Sequence, residues 1–261
     1  MNLSYQSLVD SLKKQNNLAV AFSGGADSAL LAKAAYDALK DSAVAVTIVS
    51  EFQTEEEIEN AKRTASIIGI RHILLPLNVL SIPEIANNPQ NRCYFCKKYI
   101  FSSILAQARK LGINSVCEGS VKDDENDYRP GKAAITELGI LSPLKDFSKV
   151  EIREMLKLLG FENYDSPSSP CLATRIPFFE TIDTEKLKMV YEAENVLKKL
   201  GILIYRVRHH GKLAKIEVLP TDFEVILKHK ESIINEFNKI GFTYVSLDIN
   251  GFISGNLNKV I

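Results

Sequence analysis

The sequence predicts an α/β protein: a doubly wound parallel sheet with a smaller C-terminal α+β domain. Three observations carry the prediction. Apolar runs rich in Val, Ile, Leu and Ala recur at 17–23 (NLAVAFS), 43–50 (AVAVTIVS), 72–77 (HILLPL) and 115–120 (SVCEGS), with helical spacing between them. Strands that read as continuous apolar runs are those covered on both faces by crossover helices. A stretch rich in proline and serine, 163–180 (NYDSPSSPCLATRIPFFE), interrupts the alternation as a loop joining two units would. Beyond it the order changes to helix (183–200), strand (203–209), strand (213–219), helix (222–239) and strand (243–249). The expected division is 1–178 and 179–261, which suits a chain of 261 residues, longer than a typical single domain.

Individual elements carry their own signals. A helix near 54–68 stops at Gly69 and another, from about Cys96 to Lys110, stops at Gly112. Glycine ends helices because it turns left-handed at no steric cost. Ser148 and Glu151 in SKVEIREMLKLLG have the spacing of a capping box that opens a further helix. The 32 basic and 32 acidic residues cancel, which argues against a surface built as a nucleic-acid footprint. No apolar run is long enough to span a bilayer, and MNLSYQSLVDSLKKQNN lacks the apolar core of a signal peptide, so a cytoplasmic location is expected. Four cysteines are too few for a disulfide scaffold; closely spaced thiols in a reducing compartment point to metal or redox chemistry.

Between the first strand and the first crossover helix lies SGGADS, residues 23–28. Two glycines let backbone amides approach an anion at the positive end of a helix, Ser23 and Ser28 add hydroxyl donors, and Asp27 suits Mg²⁺ held against phosphate. The alternative is an ordinary glycine-rich turn. A Walker P-loop would need Gly-Lys-Ser/Thr and the dinucleotide fingerprint would need GxGxxG; neither fits. The segment resembles the pyrophosphate loop of the adenylating ATP pyrophosphatases. That resemblance implies an ATP site formed by Ala21, Phe22, Ser23, Gly24, Gly25, Asp27 and Ser28, with adenine near Ser50 at the end of the second strand.

Cys93 and Cys96 stand in NRCYFCKKYIF and Cys171 in SPCLATRIP. Cys-x-x-Cys at a helix start places two thiolates beside the positive dipole end, and a third thiolate would complete the protein ligands of a [4Fe–4S] cube with one iron left open. A zinc site completed by Cys117, or a thiol/disulfide pair of Cys93 with Cys96, uses the same residues. Cys117 itself lies in an apolar strand end and reads as a small buried hydrophobe. In YRVRHHGKLAKIEV, Arg206, Arg208 and His210 alternate, so a strand projects all three from one face. Such a stripe suits phosphate or carboxylate, or is a solvated strand face. Arg175 and Arg129 are further candidates for anion contacts, with surface ion pairs as the alternative. Lys97, beside Cys96, is a candidate to neutralise an adenylate, or a solvated helix lysine.

Taken in order, SGGADS, RCYFCK, EGSVKDDENDYRPG, ELGILSPL, SPCLATRIP, YRVRHHGKLAKIEV and YVSLDINGFISGNLN resemble the LarE family of ATP-dependent sulfur transferases over nearly the whole chain. The resemblance implies adenylation of a carboxylate of a pyridinium dicarboxylate mononucleotide, with ATP and Mg²⁺, and replacement of AMP by sulfur. The product is a thiocarboxylate of the nickel-pincer cofactor type. In single-cysteine members the cysteine matching Cys171 gives up its own sulfur. Cys93 and Cys96 depart from that pattern and resemble the three-cysteine branch, which implies a [4Fe–4S] cluster on Cys93, Cys96 and Cys171 with sulfide bound to it. The implied roles are catalysis for Cys171, Asp27 and Lys97, and substrate contacts for Arg175, Arg206, Arg208 and His210. The implied partners are a small nucleotide substrate, sulfide or another sulfur-donor system, and further copies of the chain in a homo-oligomer. A tRNA thiolase combines the same loop and cysteines but is disfavoured by the neutral charge; an amide-forming ligase of the NAD synthetase type, or a nucleotide-sensing module, would leave the cysteines incidental.

Overall fold

The computed structural model describes residues 3–126, 130–162, 170–253 and 255–256. Arg129, one of the candidate anion contacts, lies outside the described residues. The chain forms α1 (Leu3–Leu12), β1 (Leu18–Ala21), α2 (Ala26–Leu39), β2 (Ala43–Val49), α3 (Glu55–Ile68) and β3 (Arg71–Pro76). It continues with α4 (Pro83–Ala86), α5 (Arg92–Lys110), β4 (Val116–Cys117), α6 (Gly131–Glu137) and α7 (Lys149–Leu158). Then follow α8 (Thr184–Lys199), β5 (Tyr205–His210), β6 (Leu213–Val218), α9 (Phe223–Lys228), α10 (Lys230–Ile240) and β7 (Tyr244–Leu247). Two compact units result: the first is Met1–Val79 with Asn91–Ser169, the second Leu80–Gln90 with Pro170–Ile261.

The first unit is the doubly wound α/β unit the apolar runs predict. Its sheet has the order β3-β2-β1-β4 with every pairing parallel. Successive side chains leave opposite faces of a strand, so Leu18, Val20, Ala43 and Ala45 pack with residues of α1, α2, α3 and α7. Ala19, Val44 and Val46 pack the other way, against Phe101, Ile104 and Ala108 of α5 and Ile135 of α6. Strand order reverses between β1 and β4, and ligands of open α/β sheets bind outside the carboxyl ends of the strands at such a point. The loop after β1 therefore opens where an anion site is expected.

Helix boundaries follow local chemistry. Thr54 and Glu57 form a capping box at the start of α3, which ends at Gly69 with φ 79°. Ser148 and Glu151 form the capping box of α7. Helix α5 begins at Arg92, earlier than expected, because nothing in RCYF opposes helix; Cys93 thus falls in its first turn and Cys96 at the start of the second. The helix expected over 222–239 is two, α9 and α10, separated at His229 where the backbone (φ −102°, ψ 14°) leaves the helical region. No described helix is long and apolar enough to cross a membrane.

In the second unit β5 and β6 form an antiparallel hairpin through Gly211, φ 61°, and β7 pairs parallel to β6. Val207, Ala214, Ile216 and Val218 pack against Ala193 and Leu197 of α8 and Phe237 of α10.

Candidate functional site

In the first unit, the loop after β1 is built around Gly24. Its φ is +78°, and a Cβ there would lie 2.7 Å from the Ala61 Cα of α3, so only glycine fits. Asn60 Nδ2 donates to the Gly24 carbonyl (3.0 Å), which fixes the turn from the α3 side. Gly25 is the N-cap residue of α2 and supplies no side-chain cap, so the N-terminal amides keep their affinity for an anion. Ser28 Oγ donates to the Gly25 carbonyl (3.0 Å) and lies 3.1 Å from Ser23 Oγ, while Gly25 N–H donates to Ser23 Oγ (3.3 Å). Asp27 stands in the first turn of α2. The approach to the loop is tied to β2: Ala21 pairs with Val46, Phe22 N–H donates to the Val46 carbonyl (2.9 Å), and Thr47 Oγ1 donates to the Phe22 carbonyl (2.7 Å). Ser50 closes its own turn, its hydroxyl donating to Gln53 Oε1 (2.7 Å).

Sequence reasoning missed Glu118. It follows β4, is 7% exposed, and accepts hydroxyl hydrogens from Ser120 (2.7 Å) and Ser142 (2.6 Å). It fixes a loop in which a Cβ on Gly119 would lie 3.4 Å from the Asp27 backbone. A carboxylate directly after a buried strand was the available signal.

Cys93 and Cys96 are half-buried and lie three apart near the start of α5, hence on one face of it. The buried Arg92 guanidinium donates to Cys93 Sγ at 3.6 Å. Lys97 crosses α6 so closely that a Cβ on Gly131 would lie 2.6 Å from its Cδ. Cys117 is fully buried, and burial, then the Glu118 charge, raises its thiol pKa strongly; it packs as a hydrophobe. None of the four cysteines is in a disulfide. Among the described residues no three His, Cys, Asp or Glu side chains are gathered as metal ligands.

Cys171 belongs to the second unit, half-buried at the N-cap of the 3-10 turn Leu172–Arg175. Arg175 is 3% exposed and its fork is occupied: Nε and Nη2 meet the two carboxylate oxygens of Glu194 at 2.8 and 3.0 Å. Arg208 is similarly engaged, Nε with Glu217 Oε2 (2.9 Å) and Nη1 with the Thr174 carbonyl (2.6 Å). Arg206 has no hydrogen bond or ion pair to a carboxylate among the described residues; it lies 5.2 Å from the Phe252 ring and donates to the Tyr205 carbonyl. Burial, then the Arg175 charge, brings its pKa down to about 10. His210 is exposed at the strand end. The stripe thus divides into one paired guanidinium, one open guanidinium and an exposed imidazole.

The NAD synthase family model matches residues 2–91, which contain the loop, and with the parallel sheet this puts the chain in the PP-loop class of ATP-using enzymes. The chain is 43% identical to an uncharacterised protein of Synechocystis sp., slr1717, over 93% of this chain and 92% of that one. It is 36% identical to the pyridinium-3,5-bisthiocarboxylic acid mononucleotide synthase of Lactiplantibacillus plantarum, over 98% of this chain and 94% of that one. It is 33% identical to the uncharacterised protein MJ0830 of Methanocaldococcus jannaschii, over 90% of each. The chain belongs to the LarE family, that of the pyridinium-3,5-bisthiocarboxylic acid mononucleotide synthase, and is an ATP-using, sulfur-transferring enzyme.

Proposed function

We propose that this enzyme adenylates a carboxylate of a pyridinium dicarboxylate mononucleotide, releases pyrophosphate, and replaces AMP with sulfur to give a thiocarboxylate. The observation that carries the reading is the glycine and hydroxyl loop at the start of α2, joined to 36% identity over 98% of the chain with a pyridinium-3,5-bisthiocarboxylic acid mononucleotide synthase. A carboxylate resists nucleophiles and has no leaving group; forming the acyl-adenylate supplies one. Ser23, Gly24, Gly25 and Ser28 hold the pyrophosphate, Ala21 and Phe22 border the ATP at the end of β1, and Asp27 would hold Mg²⁺ against the phosphates. Adenine lies beside Ser50. Lys97 neutralises charge on the adenylate, Arg129 contacts the ATP phosphates, and Arg206, with His210 further along the same strand, receives the substrate phosphate or second carboxylate.

Cys93, Cys96 and Cys171 would supply the three thiolates of a [4Fe–4S] cluster by donor chemistry alone, for the described residues do not gather them as ligands. Two thiols share one face of a helix near its positive dipole end, one of them accepts from a buried guanidinium, and the third is half-buried rather than sealed in a core. When bound, such a cluster supplies sulfide as the nucleophile. Without it, the Cys171 thiolate attacks the acyl carbon, AMP leaves, and loss of the Cys171 Cα proton cleaves Cβ–S to leave dehydroalanine. The test incubates anaerobic protein with ATP, Mg²⁺, sulfide and carboxylated pyridinium nucleotides. AMP, pyrophosphate and thiocarboxylate should form together, and Asp27→Ala should stop all three while the circular dichroism of the fold is unchanged. ADP and phosphate as products, or a thiolated tRNA in a parallel assay, would overturn the reading.

A further inference from the structure

We infer that Arg175 and Glu194 are positioning residues that hold Cys171 in the attitude sulfur transfer requires; the inference rests on the role of Cys171 proposed above. Arg175 folds back over its own turn. Its Nη1 donates to the carbonyls of Pro170 (2.7 Å) and Cys171 (3.2 Å) and to Thr174 Oγ1 (3.0 Å). Its other two nitrogens grip both oxygens of Glu194 on α8, and Glu194 Oε1 also accepts the Val207 N–H of β5 (3.1 Å). One guanidinium therefore joins the backbone of the Cys171 turn to a helix and a strand at once.

Neighbouring contacts repeat the design. Thr174 Oγ1 donates to the Cys171 carbonyl (2.9 Å), and the Thr174 carbonyl accepts from Arg208, itself held by Glu217 of β6. Downstream, the fully buried Asn88 donates to the Pro177 carbonyl (2.6 Å) and accepts the Phe179 N–H (2.9 Å).

A buried ion pair is a poor way to gain stability, because desolvation offsets the attraction and an apolar pair of equal volume often does as well. What a bidentate fork supplies is direction: it fixes the plane of the guanidinium, and so the carbonyls that the remaining donors reach. The Cys171 carbonyl accepts from the Thr174 N–H (3.0 Å), the Thr174 hydroxyl and one donor of the Arg175 fork, which together set the orientation of its Cα–Cβ bond while the thiol stays half-exposed. Reactive groups need that kind of support from packed neighbours.

The test compares Arg175→Lys, Arg175→Met and Glu194→Gln in the full-length protein by four measurements: nucleotide affinity, thermal midpoint, single-turnover sulfur transfer, and alkylation rate of Cys171 read from its tryptic peptide. Nucleotide affinity should stay within about twofold, whereas transfer should fall by about 10²-fold, as expected for a reacting atom misplaced by about 1 Å. Cys171 should alkylate about threefold faster or more as its turn opens locally. Arg175→Lys keeps the charge and should recover thermal midpoint without recovering transfer. Transfer and alkylation unchanged in a folded variant, or transfer recovering in step with thermal midpoint, would overturn the inference. If Arg175→Met does not fold, the other two variants carry the test. If the wild type transfers no sulfur, the proposed function fails while the alkylation arm still tests the mount.

Discussion

Gly24 shows how one absent side chain sets the site. Its positive φ is one that other residues adopt at a cost, and the space a Cβ would need is filled by the Ala61 backbone, which cannot rotate away as a side chain can. Gly24→Ala should therefore cost about 1–3 kcal/mol, the scale of strain at a sparsely populated backbone conformation. It should also displace the loop enough to abolish ATP turnover; urea unfolding and AMP release measure the two effects. Gly25, with φ −75° and its nearest neighbour atom 3.5 Å from a built Cβ, has no such strain, so Gly25→Ala should fold normally. The glycines of SGG look equivalent in sequence and are not. Arginine needs the same distinction. Arg175, Arg206 and Arg208 all read as anion contacts, yet Arg175 and Arg208 are engaged by buried glutamates and only Arg206 faces no carboxylate partner among the described residues.

At the scale of elements, β5 carries a share of the pH response, as does His72 of β3, whose pKa burial also lowers. His209 is 3% exposed, its ring 5.6 Å from that of Phe242, and Nδ1 lacks a hydrogen-bond partner among the described residues. Burial, then the Lys186 charge, lowers its pKa below the ordinary 6.5, against weaker opposition from Glu180 and Asp183. The folded chain then binds the proton less readily than the unfolded chain, so stability is complete above pH 6.5 and falls as pH drops from 6.5 towards the folded pKa. Urea midpoints at pH 7.5 and 5.5 should show this loss in the wild type and less of it in His209→Phe. The strand itself was legible from alternation. His209 as its inward neighbour was not, because Arg206, Arg208 and His210 drew the polar face while a histidine at the intervening position looks the same buried or solvated. Helix ends were legible where capping chemistry is local, as at Thr54, Glu57, Gly69, Ser148 and Glu151. What α3 does for the phosphate loop was not, since Asn60 meets Gly24 only through the fold.

At the scale of the whole molecule, the chain does not divide once. Leu80–Gln90 leaves the first unit, joins the second, and the chain returns at Asn91, one residue before the helix that carries Cys93 and Cys96. No composition shift marks that excursion; it shows only in tertiary pairing, such as Ala86 carbonyl with Ile182 N–H (2.7 Å). The cysteines are apportioned accordingly, Cys93 and Cys96 to the first unit and Cys171 to the second. This makes the two sulfur sources separable. If the three thiolates serve one cluster, Cys93→Ala, Cys96→Ala and Cys171→Ala should each lower iron content and sulfur transfer, because losing any ligand damages the same object. Cys117→Ala should keep both, its thiol being sealed in the core of the first unit. If Cys171 is consumed instead, only its replacement should stop transfer, the wild type should halt after one turnover, and the chain should lose the mass of H₂S as Cys171 becomes dehydroalanine. Intact-protein mass spectrometry after anaerobic turnover, on protein reconstituted with iron and supplied with sulfide, decides the matter. An unchanged mass with repeated turnover is the expected result, and a Cys171-dependent loss of that mass would show that the cluster is not the donor.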